Sequence, residues 1–510
     1  MFLLLSSIVL TLLLLVALSK NRKPFYDGHS LPPAPWPHLP LVGSLFCHPP
    51  TMASLVVVLR RLHAAHGPVV SLWVGSKPAI FITCHDIAHR ALVHMGTTFA
   101  HRPATWSSGL NSHGVNSATY GNRWGLLRRN LSSHLATAHV TGVLRSSTDK
   151  LVKNLESASA GEDDGVVVAP SETFRHAVFG FFAALCFGEG VGEDTLRRLR
   201  GLHAEIIPLI VELDAFHLMP VFLQVVCYFP RWRKLLSAQR RHHVLVTTMI
   251  SACRRRREEG VGPDVAQPRC YVVTLLGLGL GEDEMVSLCW EYMNASVKTT
   301  TTELEWIMAR LVLHQDIQQK LRKDIASRRA SGNHTMTCGG RRRRPFVEAV
   351  VLEALRLHPP AHYLLAHTTD KDVTLDNYMI PKGSIVNFSV ASIGRDATLW
   401  TDPDVFRPER FVEGGEGSGV RCTTGGSDSG PETMKMIPFG AGRRACPGAG
   451  IAMTVLQSFV EDLVRRFDWI PVASGVEASI DMAEKPGIIT EMRVPLRARL
   501  VTVRQNDVLL

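Results

Sequence analysis

The chain has 510 residues, 45% of them hydrophobic and 20% charged, a composition ordinary for a globular protein. Its 56 basic and 46 acidic side chains give a formal charge of +10, which suits an anionic partner surface. The two basic clusters, Arg254 to Arg257 and Arg341 to Arg344, come with no nucleic-acid motif. Nucleic acid is therefore excluded as a partner, and solvated helix ends or loops are the plainer reading of both clusters. The length alone suggests about three domains. No linker divides the chain after residue 50, so one large mixed fold is expected.

Met1 to Leu18 is interrupted only by Ser6, Ser7 and Thr11. As a helix it would span about 27 Å, close to the apolar thickness of an endoplasmic reticulum bilayer. Lys20, Arg22 and Lys23 follow and no charge precedes, which keeps the rest of the chain in the cytosol. A cleaved signal is the rival reading, since Ala17-Leu18-Ser19 offers a small-x-small triplet. Signal peptides carry their charge before the apolar run, so a retained single-pass anchor over 1–19 is expected. Residues 20–45 form a basic and proline-rich hinge, stiffened by Leu31-Pro32-Pro33-Ala34-Pro35-Trp36-Pro37. One domain is expected over 46–510. Its cysteines, facing the cytosol, stay reduced.

A helix is expected from Met52 to His66, then strands Val69 to Val74 and Ala79 to Thr83 around a turn Gly75-Ser76-Lys77-Pro78. His85 and His89 flank an acid as in a zinc-protease helix, but Asp86 stands where Glu is required and no third ligand suggests itself. An ordinary, partly exposed helix is the better reading. Phe99 to Tyr120 reads as a polar loop. Trp124 and Arg128 lie one turn apart on one helix face. Glu172 to Arg257 reads as several helices, Glu284 to Arg310 as one long helix, and Asp316 to Ala326 as another. Ser327 to Arg344 and Gly414 to Gly430 read as loops. Between them Glu353 and Arg356 share a helix face, and short strands are expected at Tyr363 to Thr369, Val373 to Leu375 and Ser384 to Val390.

The chemistry gathers at Phe439-Gly440-Ala441-Gly442-Arg443-Arg444-Ala445-Cys446-Pro447-Gly448. Pro447 fits the first position of a helix whose apolar face is Val455, Phe459, Leu463 and Phe467. Cys446 is thus placed at a helix N-terminus, where unpaired N–H groups and the dipole favour thiolate. A bound metal would complete the deprotonation. The glycines allow backbone to lie against a flat ligand. A buried structural cysteine is the bland alternative. A dinucleotide fingerprint, Gly440-x-Gly442-x-x-Ala445, fails because no strand-helix-strand unit and no ribose-binding acid accompany it.

The pattern F-x-x-G-x-R-x-C-x-G resembles the haem-binding loop of the cytochrome P-450 superfamily, and its wording is most similar to plant microsomal members near the CYP89 group. The resemblance covers nearly everything from about Leu31 onward and implies a mainly α fold with small β-sheets. It implies haem b, iron protoporphyrin IX, with Cys446 as axial thiolate ligand favouring O–O cleavage. By the same resemblance Phe439 packs beside the thiolate, while Gly442 and Gly448 belong to the loop. Arg444, Trp124 and Arg128 meet the propionates. Glu353, Arg356 and Arg410, the last from Pro408-Glu409-Arg410-Phe411, form a buried ion triad.

On the long helix the resemblance expects small-Gly-x-acid-Thr-Thr, and this chain has Ala295-Ser296-Val297-Lys298-Thr299-Thr300. Thr299 takes the alcohol position, Lys298 replaces the acid and Ser296 the glycine. A lysine of ordinary pKa, about 10.4, holds its proton at the moment one is needed. Weakened oxygen activation, or a different water path, is therefore expected, unless Lys298 simply points to solvent. The resemblance would bring Arg123, Arg129, Lys435 and Arg443 together near the proximal side as a basic patch suited to an acidic electron donor. Because the chain has no flavin or nicotinamide module, that donor is expected to be a partner, NADPH-cytochrome P-450 reductase. The implied activity is membrane-bound monooxygenation of a hydrophobic small molecule. A haem-thiolate isomerase or dehydratase acting on a peroxide, and a catalytically impaired haem-binding protein, are the alternatives.

Overall fold

In the computed structural model, the residues described are 25–26, 29–34, 52–74, 77–103, 113–136, 140–159, 166–216, 221–259, 270–331, 337–338, 341–342, 344–421, 431–472 and 480–503. The expected anchor, most of the hinge, the turn at Gly75-Ser76 and much of the Phe99 to Tyr120 loop lie outside them. Among the described residues no helix is long and apolar enough to cross a membrane.

Helix α1 (Met52–His66) leads into β1 (Val69–Val74) and β2 (Lys77–Ile82). β2 starts earlier than the proline suggested, because Pro78 pairs opposite Trp73 at an end of the ladder, where its missing N–H costs little. Next come α2 (Asn122–Ala136), α3 (Val140–Ser159), β3 (Val166–Val168), α4 (Ser171–Phe187), α5 (Glu193–Phe216) and α6 (Val221–Glu258). They are followed by α7 (Tyr271–Leu276), α8 (Glu282–Leu313), α9 (Gln315–Ala330) and α10 (Phe346–Leu357). β4 (His367–Thr368), β5 (Val373–Leu375), β6 (Tyr378–Ile380) and β7 (Ile385–Phe388) precede α11 (Ala449–Arg466), β8 (Phe467–Ile470) and β9 (Ala498–Thr502).

Three expectations change. α9 runs to Ala330, into the expected 327–344 loop, and Thr337–Cys338 pairs with Arg341–Arg342. The expected strand at Tyr363 shrinks to β4, while Val390 already opens a short helix. Pro447 is not the first helical residue: α11 starts at Ala449 with Gly448 as its cap.

One sheet runs β1-β2-β7-β4, with β2 and β7 parallel, and a second, antiparallel sheet runs β8-β9-β3. α8 crosses the middle of the protein. Glu282, Asp283 and Glu284 suit the positive end of its dipole, and Glu284 accepts from the Gly281 N–H at 3.3 Å. It packs on α4, α10 and α11. α10 is buried at every position but Glu348, so it is apolar almost all round. Its two buried charged residues, Glu353 and Arg356, therefore need partners inside the protein.

Candidate active site

The cysteine loop is shaped by what its backbone must avoid. Gly442 has φ +67°, and a Cβ there would lie 1.8 Å from the Leu92 carbonyl oxygen. No other residue fits. The Cys446 N–H donates to the Phe439 carbonyl at 2.8 Å, closing the loop and leaving the sulfur outside it. Phe439 is half-buried against the main core. A Cβ on Gly448 would come 3.8 Å from Sγ, so the glycine keeps one side of the sulfur clear.

Cys446 is accessible at its surface although protein crowds around it, which places the thiol on the wall of a cleft rather than on the outer face. That crowding pushes its pKa up. The Gly448 N–H and nearby Arg128 pull the other way and do not overcome burial. The expected thiolate preference is thus corrected: α11 starts three residues beyond the sulfur, too far for its terminus to dominate. Deprotonation falls to whatever the sulfur binds.

Above the loop, α2 presents Trp124 and Arg128. Arg128 donates to the Ala445 carbonyl at 2.5 Å. Trp124 is buried, its ring 4.9 Å from the Arg444 guanidinium and 5.0 Å from Tyr120, and its Nε1–H has no partner among the described residues. Arg444 donates from Nε to the Ala100 carbonyl at 2.7 Å and from its two terminal nitrogens to Val115 at 2.8 Å and Ala118 at 2.7 Å. It ties the cysteine loop to the segment before α2.

Sequence reasoning missed three participants. Arg102 donates to the Leu365 and Ala366 carbonyls at 2.7 and 2.9 Å, and burial beside Arg444 lowers its pKa to about 9. Arg444 itself is lowered to about 10 by burial and by Arg128. Glu291 on α8 accepts from the Val115 and Asn116 N–H groups at 2.5 and 2.6 Å and is the acid acting on both guanidinium groups. His367, half a sheet away, accepts a proton poorly: burial and Arg102 lower it to about 3. No signal in the sequence marked Arg102 or His367. Glu291 was legible only as an acid on the buried stretch of a long helix.

Arg102 and Arg444 share the single carboxylate of Glu291, and Arg128 lies by the thiol, which leaves net positive charge next to an orphan indole N–H and the sulfur. That donor set fits a planar dianionic macrocycle whose metal the sulfur binds. Cys446 would hold haem iron, with Arg128, Trp124, Arg444 and Arg102 turned toward the propionates.

The braced side lies behind. Arg356 clamps Glu353 with two bonds, 2.7 and 2.8 Å, and Arg410 adds a third at 3.2 Å, all three side chains being buried. The Arg407 N–H also donates to Glu353, at 2.8 Å. On α8, Ser296 and Thr299 each donate a hydroxyl to the carbonyl four residues back, at 2.7 Å. Lys298 is partly solvent-exposed, and its ammonium lies 3.2 Å from Glu491 of the C-terminal segment. Of the expected basic patch, Arg123 pairs with Glu284 and Lys435 donates to the Glu416 carbonyl at 2.9 Å, while Arg129 and Arg443 are exposed. His85 pairs with Asp86 at 3.1 Å rather than with His89, which is buried and packs on His94.

These features define a haem-thiolate protein. The chain belongs to the cytochrome P450 family, whose profile, described as Cytochrome P450, matches residues 33–491. It is 32% identical to Cytochrome P450 89A9 of Arabidopsis thaliana over 94% of this chain and 95% of that one. It is 27% identical to the Flavonoid 3'-monooxygenase of Arabidopsis thaliana, over 95% and 94%. In fold it is similar to a zebra fish cytochrome P450 solved with progesterone, with a TM-score of 0.70 and 20% identity, covering 88% of this chain and 99% of that one. Membership makes the chain a haem-thiolate oxidoreductase of the monooxygenase kind, with a redox partner and a small-molecule substrate.

Proposed function

We propose that this protein is a membrane-anchored monooxygenase that inserts one oxygen atom from O2 into a hydrophobic small molecule at the cytosolic face of the endoplasmic reticulum. Electrons come from NADPH-cytochrome P-450 reductase. The observation that carries the reading is Cys446, its N–H tied to the Phe439 carbonyl, facing a cleft edged by Trp124, Arg128 and Arg444.

Haem b held there supplies the oxygen chemistry, the thiolate donating electron density that favours O–O cleavage. The protein's own residues do the rest. Arg128, Arg444 and Trp124 hold the propionates through charge-assisted and indole hydrogen bonds. Gly442 lets the loop close against the Leu92 carbonyl, and Gly448 leaves one side of the sulfur clear. Glu353, Arg356 and Arg410 brace the fold behind the loop, and Thr299 presents a hydroxyl for proton transfer. The apolar run of residues 1–19 supplies the anchor, and exposed Arg129 and Arg443 offer positive charge to an acidic donor.

A carbon monoxide difference spectrum of the purified holoenzyme tests the reading. The wild type is expected to show the thiolate-ligated Soret band and Cys446→Ala to lose it entirely; a band unchanged in the variant refutes the assignment. Turnover with NADPH and reductase, but not with a hydroperoxide alone, separates a monooxygenase from a peroxide isomerase. Release of tagged protein by carbonate would overturn the anchor.

A further inference from the structure

His85 and His89 fail as a zinc pair, because His89 is buried on His94. The residue on the other side of His85 supplies a different partner. Cys84, His85 and Asp86 each offer one donor atom, and the three atoms lie within 4.8 Å of one another. His85 Nε2 stands 3.1 Å from the Asp86 carboxylate. Tetrahedral zinc, bonded at about 2.3 Å to sulfur and about 2.0 to 2.1 Å to nitrogen and oxygen, holds its donor atoms about 3.3 to 3.6 Å apart. The His85–Asp86 spacing is close to such an edge, and the gap to sulfur is within reach of a side-chain rotation.

The backbone accounts for the convergence. Cys84 is extended, with φ −92° and ψ 131°, and helical geometry begins at His85, an arrangement that folds the first side chain back over the residues after it. The Cys84 sulfur is not spent on capping. Cys84 is half-buried against an apolar cluster, the His85 side chain is 15% exposed and Asp86 58%. The donor set is thus closed behind the sulfur and open in front, where water can take a fourth position. The donor types select the ion. Thiolate disfavours magnesium, calcium and manganese, carboxylate disfavours copper(I), and a mixed sulfur, nitrogen and oxygen set suits zinc.

We propose that Cys84, His85 and Asp86 bind one zinc ion, outside the haem site, and that this ion braces the wall behind the cysteine loop. On binding, the Cys84 S–H bond breaks as the sulfur–zinc bond forms, and the proton leaves to solvent. The brace follows from what comes next in the chain. His85–His89 runs straight into the wide helical turn Arg90–His94, whose Leu92 carbonyl excludes any Cβ from Gly442. Ile87, Leu92 and Ala441 share the apolar cluster on which Cys84 packs. Fixing residues 84–86 therefore holds the surface on which the cysteine loop closes. The zinc site stands apart from the monooxygenase reading, whereas the brace rests on haem being held at Cys446.

The test titrates zinc chloride into full-length holoenzyme, purified without a histidine tag and stripped of metal with EDTA. Stoichiometry and affinity come from equilibrium dialysis, ligand type from zinc-edge X-ray absorption, and the brace from the rate at which haem passes to apomyoglobin. The wild type is expected to bind one zinc with a sulfur at about 2.3 Å, and to lose haem about twofold or more slowly once zinc is bound. Cys84→Ser is expected to remove the sulfur shell, and Asp86→Asn, at an exposed position, to weaken binding by at least about tenfold. Both should abolish the effect of zinc on haem loss. No bound zinc, a shell without sulfur, or unchanged binding in either variant makes the ion adventitious and overturns the site. Should Cys84→Ser fail to fold, Asp86→Asn and the wild-type sulfur shell decide. Bound zinc with haem loss unchanged overturns the brace. A wild type that holds no haem would instead sink the haem-thiolate reading and the brace with it, and the zinc readouts would survive that failure.

Discussion

The cysteine side of this protein and the α8 side are built by opposite rules. On the cysteine side each residue is held by several independent constraints: Gly442 by a positive φ and the Leu92 carbonyl, Arg444 by three carbonyls, Glu353 by two arginines and a backbone N–H. On the α8 side the chemistry rests on single contacts, such as the Thr299 hydroxyl on Ala295 and Lys298 on Glu491. Where constraints overlap, few residue types fit; where one contact suffices, charge can be reversed.

The largest expected effect lies in the overlap. Glu353→Gln keeps the shape and removes the charge that Arg356 and Arg410 share, leaving buried Arg356 without its counterion and Arg410 with Glu416 alone. Breaking such a network costs about 3 to 5 kcal/mol. Urea-induced loss of the carbon monoxide band should shift accordingly. A shift below about 1 kcal/mol would mean that the Glu416 contact of Arg410 is the brace and that the contrast is drawn in the wrong place.

The same contrast explains what could be read in advance. The cysteine loop was legible because its glycines and cysteine answer to local geometry, which a run of ten residues displays. The start of α11 was misjudged because Pro447 satisfies the first-position rule, yet the chain closes on Phe439 before it turns helical. Arg444 was legible as a cation but not as a clamp, since Ala100, Val115 and Ala118 lie far from it in sequence. The burial of Glu303 on α8 was hidden because an acid on a helix ordinarily reads as surface, and nothing local separates it from Glu305, whose carboxylate accepts from the Leu496 N–H at 3.0 Å. Lys298 posed the reverse problem: its partner sits in a segment whose path no local pattern gives.

A joint between the two sides should give an intermediate effect. His358 caps α10 and stacks on Trp306 of α8 with ring centroids 4.1 Å apart, its Nε2 accepting from Arg310 at 2.9 Å. Burial and three nearby arginines depress its pKa to about 2. The unfolded chain therefore takes up a proton below about pH 6.5 that the folded chain refuses down to about pH 2. Stability contributed by neutral His358 is present above that window and lost as pH falls, by about 1.4 kcal/mol per pH unit at most. Unfolding midpoints measured from pH 7 to pH 4 should show a shallower acid slope in His358→Gln, which can still accept from Arg310. An identical slope would assign the acid sensitivity elsewhere, for example to His203 and His242, lowered by burial to about 3 and 4.

The smallest effect is expected at Lys298 and Glu491, whose side chains are 39% and 28% exposed. Water screens such a pair, and ordering a lysine side chain consumes much of what attraction remains, so the coupling should be about 0.2 to 1 kcal/mol. A double-mutant cycle of Lys298→Met and Glu491→Gln, read by thermal unfolding at low and high salt, isolates that coupling from the separate cost of each change. Coupling that fades with salt fits a strut added late to a helix whose position is already fixed by Trp306, buried and bonded to the Thr490 carbonyl beside Glu491. Coupling above about 2 kcal/mol that survives high salt would place this pair in the same regime as the Glu353 network. The α8 side would then be as tightly determined as the cysteine side, and its charge reversal would require a compensating change in the residues that face it.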